Sequence, residues 1–167
     1  MSLPPTPGRV FDDPLAVEDA TGDIVGRARQ LWTARQEGRP PQPLRGRHLG
    51  LVYAVACSRS QALFCDAAHA LGAQVAVMPL QLRVDDPPHE VSSTARMLGR
   101  LYEAIECQGV EPIVVGRIAE HAGIPVLDDA AVRLASLDLL AQRVQPGLPA
   151  RQGRTLVLQA LILHALA

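Results

Sequence analysis

The sequence predicts an α/β domain in which a four-stranded parallel sheet is flanked by helices. Three observations predict it. Short, nearly unbroken apolar runs alternate with segments whose apolar residues repeat at helical spacing, the pattern of buried strands joined by helical crossovers. At 167 residues the chain is long enough for one real core and short for two. Apolar residues make up 48% of it, too many for a disordered chain.

The elements follow in order. Residues 1–18 are Pro-rich and expected to be loose, with the organised domain over 19–145. From Thr21 to about Gln36, the residues Ile24, Val25, Ala28, Leu31 and Trp32 recur at helical spacing, and Gly38-Arg39-Pro40-Pro41 breaks that helix. Leu49 to Val55 is a near-continuous apolar run, a strand buried on both faces. After a turn at Ala56-Cys57-Ser58, the Ala-rich stretch from Ser60 to Leu71 is helical, and Gly72 suits its C-terminal cap. Gln74 to Met78 is a second strand, and 79–88 a loop carrying Asp85 and Asp86. A helix is expected from Ser92 or Ser93 to about Leu101, with Met97, Leu98 and Leu101 inward, followed by a short third strand over Ala104 to Glu106. Pro112 opens the next helix, which runs to His121. Ile124 to Leu127 is the fourth strand and Ala130 to Val144 another helix. Residues 146–150 form a linker, and 151–167 hold a last apolar helix expected to pack back on the domain.

Composition excludes several chemistries. The 16 basic residues face 17 acidic ones, so the basic excess of a nucleic-acid binder is missing. All basic residues are Arg and there is no Lys, which removes Schiff-base chemistry and a P-loop lysine. Cys57, Cys65 and Cys107 lack metal-ligand spacing and are odd in number, which fits a reducing, cytoplasmic setting. No metal site or cofactor is expected. The start, Met1-Ser2-Leu3-Pro4-Pro5, lacks signal-peptide blocks, and no apolar run reaches membrane-spanning length. His69 and His121 sit inside expected helices and read as structural, and His89, between loop residues, as solvated.

One stretch carries chemistry. In an open parallel sheet, ligands bind beyond the carboxyl ends of the strands. The first predicted strand delivers Cys57-Ser58-Arg59-Ser60 there, just as a helix begins. Unpaired helix N–H groups, two hydroxyls and a guanidinium suit a phosphate or carboxylate. On spacing alone a helix cap with a solvated arginine is the simpler reading. Cys57 at a helix start is also a candidate acidic thiol, though no partner base is identifiable.

Three segments then carry a resemblance. Thr94-Ala95-Arg96-Met97-Leu98-Gly99-Arg100-Leu101-Tyr102-Glu103-Ala104-Ile105, the strand-turn-helix from Leu51 to Ala73, and Ala119-Glu120-His121-Ala122-Gly123-Ile124-Pro125-Val126 resemble, in gap-free register, the carbamoyl-phosphate domain of the aspartate/ornithine carbamoyltransferase family. The likeness spans roughly residues 20–145 and is nearest to the ornithine enzymes. Arg151 to Ile162 resembles the family's returning C-terminal helix, so the chain reads as a first domain plus that helix, without the amino-acid-binding domain between them.

The resemblance implies a phosphate loop at residues 57–61, where the family reads Ser-Thr-Arg-Thr-Arg. Ser58, Arg59 and Ser60 keep its polar character, while Cys57 and Gln61 depart from it. Gln108 stands where the family has an arginine that reaches phosphate and carbonyl oxygens. Ala135-Ser136-Leu137-Asp138 stands where it has His-Pro-x-Gln, so Ala135 replaces the histidine and Asp138 the glutamine. Each donor aimed at charge developing in a transition state is worth ~3–4 kcal/mol, and holding the attacking amine in place up to ~7–11 kcal/mol. The expectation is therefore a pseudoenzyme: no catalytic residue, a residual site for carbamoyl phosphate, phosphate or another small anion, and the family's trimeric assembly, with a transferase as candidate partner. Two alternatives stay open. A partner chain could complete a working carbamoyltransferase, or Gln61, Gln108 and Asp138 could make a pocket for a less anionic ligand.

Overall fold

The computed structural model describes Gly8, Val10, Phe11 and residues 18–167. The remainder of the segment expected to be loose lies outside the described residues. The elements run β1 (Val10–Phe11), α1 (Glu18–Gln36), β2 (His48–Tyr53), α2 (Ser58–Ala70), β3 (Gln74–Pro79), α3 (Pro88–Leu101), β4 (Ala104–Gln108), α4 (Pro112–Ala122), β5 (Val126–Asp128), α5 (Leu134–Val144) and α6 (Ala150–Leu166).

The sheet has five strands rather than the expected four, in the order β1-β5-β4-β2-β3, and every neighbouring pair is parallel. The added strand is β1, whose Val10 and Phe11 pair with Val126 and Leu127. Two residues in a Pro-rich stretch carry no readable alternation. Their strand identity comes from the otherwise open edge of β5, and so from tertiary structure.

Alternating side chains divide the core between the two faces of the sheet. Leu49, Leu51, Ala104 and Leu127 join the buried faces of α1, α2, α5 and α6. Val52, Ile105, Cys107 and Val126 join α3 and α4 on the other side. At α3 the inward residues are Val91, Ala95 and Leu98, whereas Met97 and Leu101 are about half exposed. The expected pairing of Met97 and Leu101 with the core is thus corrected. The helix starts at Pro88 rather than Ser92, and its buried stripe follows from Val91 at helical spacing.

The last helix, α6, packs on α1, α2 and α5. Its Gly153 is buried against α5, where an added Cβ would lie 2.8 Å from Ala141 Cβ. That close approach sets the spacing of α5 and α6.

The chain leaves β2 through α2 on one face and leaves β4 through α4 on the other. Since β2 and β4 are neighbours, their carboxyl ends open a crevice where the winding reverses. The residues after β2 and after β4 line its mouth. Gly109 fits there with φ +67°, and a Cβ would press on Val55 at 3.1 Å.

Candidate functional site

The turn after β2 brings Cys57, Ser58, Arg59 and Ser60 to the start of α2, which begins at Ser58 rather than Ser60. These four residues line a cleft of about 630 Å³. Ser58 and Arg59 are exposed at its mouth. Arg59 has no carboxylate partner among the described residues, so its charge is available to a ligand. The first-turn amides of α2 receive no side-chain cap, and their partial positive charge faces the same way.

Ser60 is placed differently from its neighbours. It is only 6% exposed, and its hydroxyl donates inward to Gln108 Oε1 at 2.9 Å. Gln108 Nε2 donates to the Ser60 carbonyl at 3.2 Å and to Glu106 Oε2 at 3.1 Å. Glu106 Oε1 accepts the Ala131 amide at 3.3 Å. Glu106 and Gln108 share the sheet face that α2 covers, because residues two apart on a strand point the same way. Gln108 therefore lies buried beneath the loop as its positioning strut and does not line the cleft.

Glu106 is fully buried, and loss of water pushes its carboxyl up to about 8, against the opposing hydrogen bonds from Gln108 and the Ala131 and Ala130 amides. It is the residue that sequence reasoning missed. The signal was present: a lone acid inside an apolar strand, with Gln108 two positions on. Reading the third strand only to Glu106 hid their shared face.

The thiol of Cys57 is exposed. Its neighbours Ser60 and, less, Arg59 hold it below the ordinary thiol range, against a smaller opposing effect of burial. Burial pushes the core residue Cys107 far above that range and also raises Cys65, which is half-buried on α2 outside the core.

The remaining altered positions do not converge on this cleft. Gln61 is half-buried on α2, and Ala135 is exposed on α5. Asp138 is engaged by α6: Arg154 Nε and Nη2 donate to its two carboxylate oxygens at 2.7 and 2.8 Å. That pairing holds the Asp138 carboxyl below the usual range. The alternative pocket of Gln61, Gln108 and Asp138 is therefore not assembled at this cleft. One of the three is sealed beneath Ser60 and another is neutralised by an arginine from a helix the spacing did not connect to it. The cleft instead gains Arg151 and Arg154 from α6, with Leu63, Ala131, Val132 and Leu134 as apolar wall. Arg151 pairs with Asp66 of α2.

The acidic pairs shape turns. Asp86 Oδ2 accepts the Arg83 amide at 2.7 Å, and Asp129, at φ +55°, accepts the Gly109 amide at 2.8 Å. No group of three or more metal-ligating side chains occurs among the described residues. His69, His89 and His121 are exposed and stand outside the cleft.

The arrangement can hold a small oxyanion at a helix start beyond a parallel strand. No family model matches the chain. Curated relatives do: it is 32% identical over 118 residues to the ornithine carbamoyltransferases of Actinobacillus pleuropneumoniae and of Cutibacterium acnes, covering 71% of this chain and 35% of each relative. The chain is homologous to the carbamoyltransferases. It spans about a third of the length of those relatives. Solved carbamoyltransferases share the fold. The Pyrococcus furiosus ornithine carbamoyltransferase matches with a TM-score of 0.64 at 22% identity, over 74% of this chain and 41% of that one. The catalytic subunit of the M. jannaschii aspartate transcarbamoylase matches with a TM-score of 0.67 at 18% identity, over 83% of this chain and 48% of its own. An aspartate transcarbamoylase from Trypanosoma cruzi, solved in complex with carbamoyl phosphate and aspartate, matches with a TM-score of 0.62 at 17% identity, over 88% of this chain and 49% of its own. No helix among the described residues is long and apolar enough to cross a membrane.

Proposed function

We propose that this carbamoyltransferase-like domain binds a small anion, carbamoyl phosphate or phosphate, and does not by itself catalyse carbamoyl transfer. Ser58, Arg59 and the first amides of α2 hold the anion, and Ser60 shapes the loop from below. The observation that carries this reading is the guanidinium of Arg59 at the start of α2, which has no carboxylate partner among the described residues. The three positions at which the resemblance implies donors to a carbamoyl carbonyl offer none to the cleft: Gln108 is buried away from it, Ala135 has no side-chain donor, and Asp138 is bound to Arg154. Carbamoyl transfer develops negative charge on that oxygen, and fixed donors aimed at it dominate the rate.

The scaffold role, a cytoplasmic homotrimer that binds or regulates a working transferase, belongs to the same proposal. The half-exposed Met97 and Leu101 on α3 support it by offering apolar surface for assembly. A second reading, catalysis completed by a partner chain, draws on the exposure of Ser58 and Arg59 at the open mouth. Calorimetric titration with carbamoyl phosphate and with inorganic phosphate, paired with a citrulline or carbamoyl-aspartate assay, tests the proposal. Saturable binding without turnover is expected. Turnover at an enzyme-like rate by the isolated chain, with ornithine or aspartate as acceptor, contradicts it.

A further inference from the structure

The Arg59 end of the cleft faces a second cationic group that the likeness to known proteins does not supply. A guanidinium carries five N–H donors in one plane. At Arg154 the Nε–H and one Nη2–H are engaged by Asp138. The Nη1 group and the other Nη2–H have no partner among the described residues. These free donors form the outer edge of the same planar fork, and Arg154 lines the cleft. Asp138 fixes the inner edge with two short hydrogen bonds, so the plane is oriented in advance. Gly153, close against Ala141, holds this turn of α6 near α5 and so keeps the pair in register.

The cleft that Arg59 of α2 and Arg154 of α6 both line has Leu63, Ala131, Val132 and Leu134 as apolar wall, and its third arginine, Arg151, is paired with Asp66. The cleft volume of about 630 Å³ lies in the range of pockets for small organic ligands and far exceeds one tetrahedral oxyanion. Two arginines with free donors in one cleft with an apolar wall describe a ligand with two anionic groups on a short carbon skeleton.

We infer that the ligand of this cleft is a small organic anion with two oxyanionic groups, one held by Arg59 at the start of α2 and the other by the outer edge of Arg154, with Asp138 as the positioning residue. This rests on the anion site proposed above and adds to it a second binding residue and a ligand class. It also gives Asp138 a purpose: its negative charge orients an arginine, where a pocket floor would have repelled the anion.

The test compares inorganic phosphate, which has one anionic group, with phosphoglycolate, which has two, by calorimetry on the full chain. The unaltered protein is expected to bind phosphoglycolate about ten- to hundred-fold more tightly than phosphate, the worth of an added charge-assisted contact. R154Q is expected to remove that preference, weakening phosphoglycolate about ten-fold or more beyond whatever it costs phosphate. R154K keeps the charge and the Asp138 pair but has no second planar edge, so it controls for docking of α6 and should lose most of the preference. D138N is expected to lower the ratio of the two affinities, a readout that loss of stability alone does not move. Phosphate binding with no preference for phosphoglycolate overturns the inference and leaves the anion site standing. A preference that survives R154Q and R154K also overturns it. Binding of neither probe overturns both readings.

Discussion

Replacing Glu106 by Gln is expected to abolish a steep loss of stability with rising pH. The carboxyl is fully buried in β4, with a folded value of about 8 against an ordinary 4.5. Below the ordinary value it is protonated in folded and unfolded chains alike, and its contribution is fully present. As pH rises, the unfolded chain ionises first and gains water, while the folded chain holds the proton until about 8. Each pH unit in that interval favours unfolding by ~1.4 kcal/mol, so the whole interval is worth about 4–5 kcal/mol. A domain of this size has about 5–15 kcal/mol in all, so the effect is a large fraction of its stability. Gln at this position keeps an acceptor for the Gln108 or Ala131 donors and has no proton to lose. Urea denaturation followed by circular dichroism, from about pH 5 to about pH 9, gives the difference between the two proteins directly. The unaltered protein should lose about 1.4 kcal/mol per pH unit relative to E106Q until about pH 8, then level off. A difference that does not change with pH refutes the reasoning, because it would mean that Glu106 is charged or solvated in the folded state.

Other consequences are checked by simpler means. Q108A removes the partner of the Ser60 hydroxyl and carbonyl and of Glu106, so it is expected to cost about 2–4 kcal/mol in a urea titration, with weakened phosphate binding as the loop loses its strut. G153A puts a methyl 2.8 Å from Ala141 Cβ, and separation of α5 from α6 should lower stability by about 1–3 kcal/mol, read as a fall in Tm. Iodoacetamide near neutral pH is expected to label Cys57 first, Cys65 slowly and Cys107 only after unfolding, with mass spectrometry of the peptides as readout. Bound phosphate should slow the labelling of Cys57, since both occupy the same cleft.

Much of the fold was legible because each central strand is a short apolar run and each helix carries its own periodicity. Leu49 to Tyr53 and the Pro112 helix declared themselves in this way, and Pro112 and Gly123 mark the ends of α4 as start and stop residues. The failures have local causes. Val10 and Phe11 are a strand only because β5 offers them an edge. Met97 and Leu101 read as inward when α3 is started at Ser92, because that start leaves out Val91, whose spacing to Ala95 and Leu98 marks the buried stripe. Within the site, the loop at 57–60 was visible because strand, turn and helix are contiguous in sequence. The Asp138–Arg154 pair and the Glu106–Gln108–Ser60 chain were not, since their partners meet across separate elements and no periodicity links them. Gln108 showed the limit most plainly. As a substitution for an arginine it looked like a weakened ligand, yet its role is set by the strand face it shares with Glu106.

The most direct test is whether an anion settles on the start of α2. In a titration with inorganic phosphate followed by backbone amide NMR, the amides of Ser58, Arg59 and Ser60 are expected to shift together and saturably. In R59Q, whose exposed and unpaired side chain contributes little to stability, binding should weaken by about ten-fold or more while the rest of the spectrum is unchanged. Shifts centred elsewhere, or equal affinity in R59Q, would contradict the assignment of this loop as the anion site.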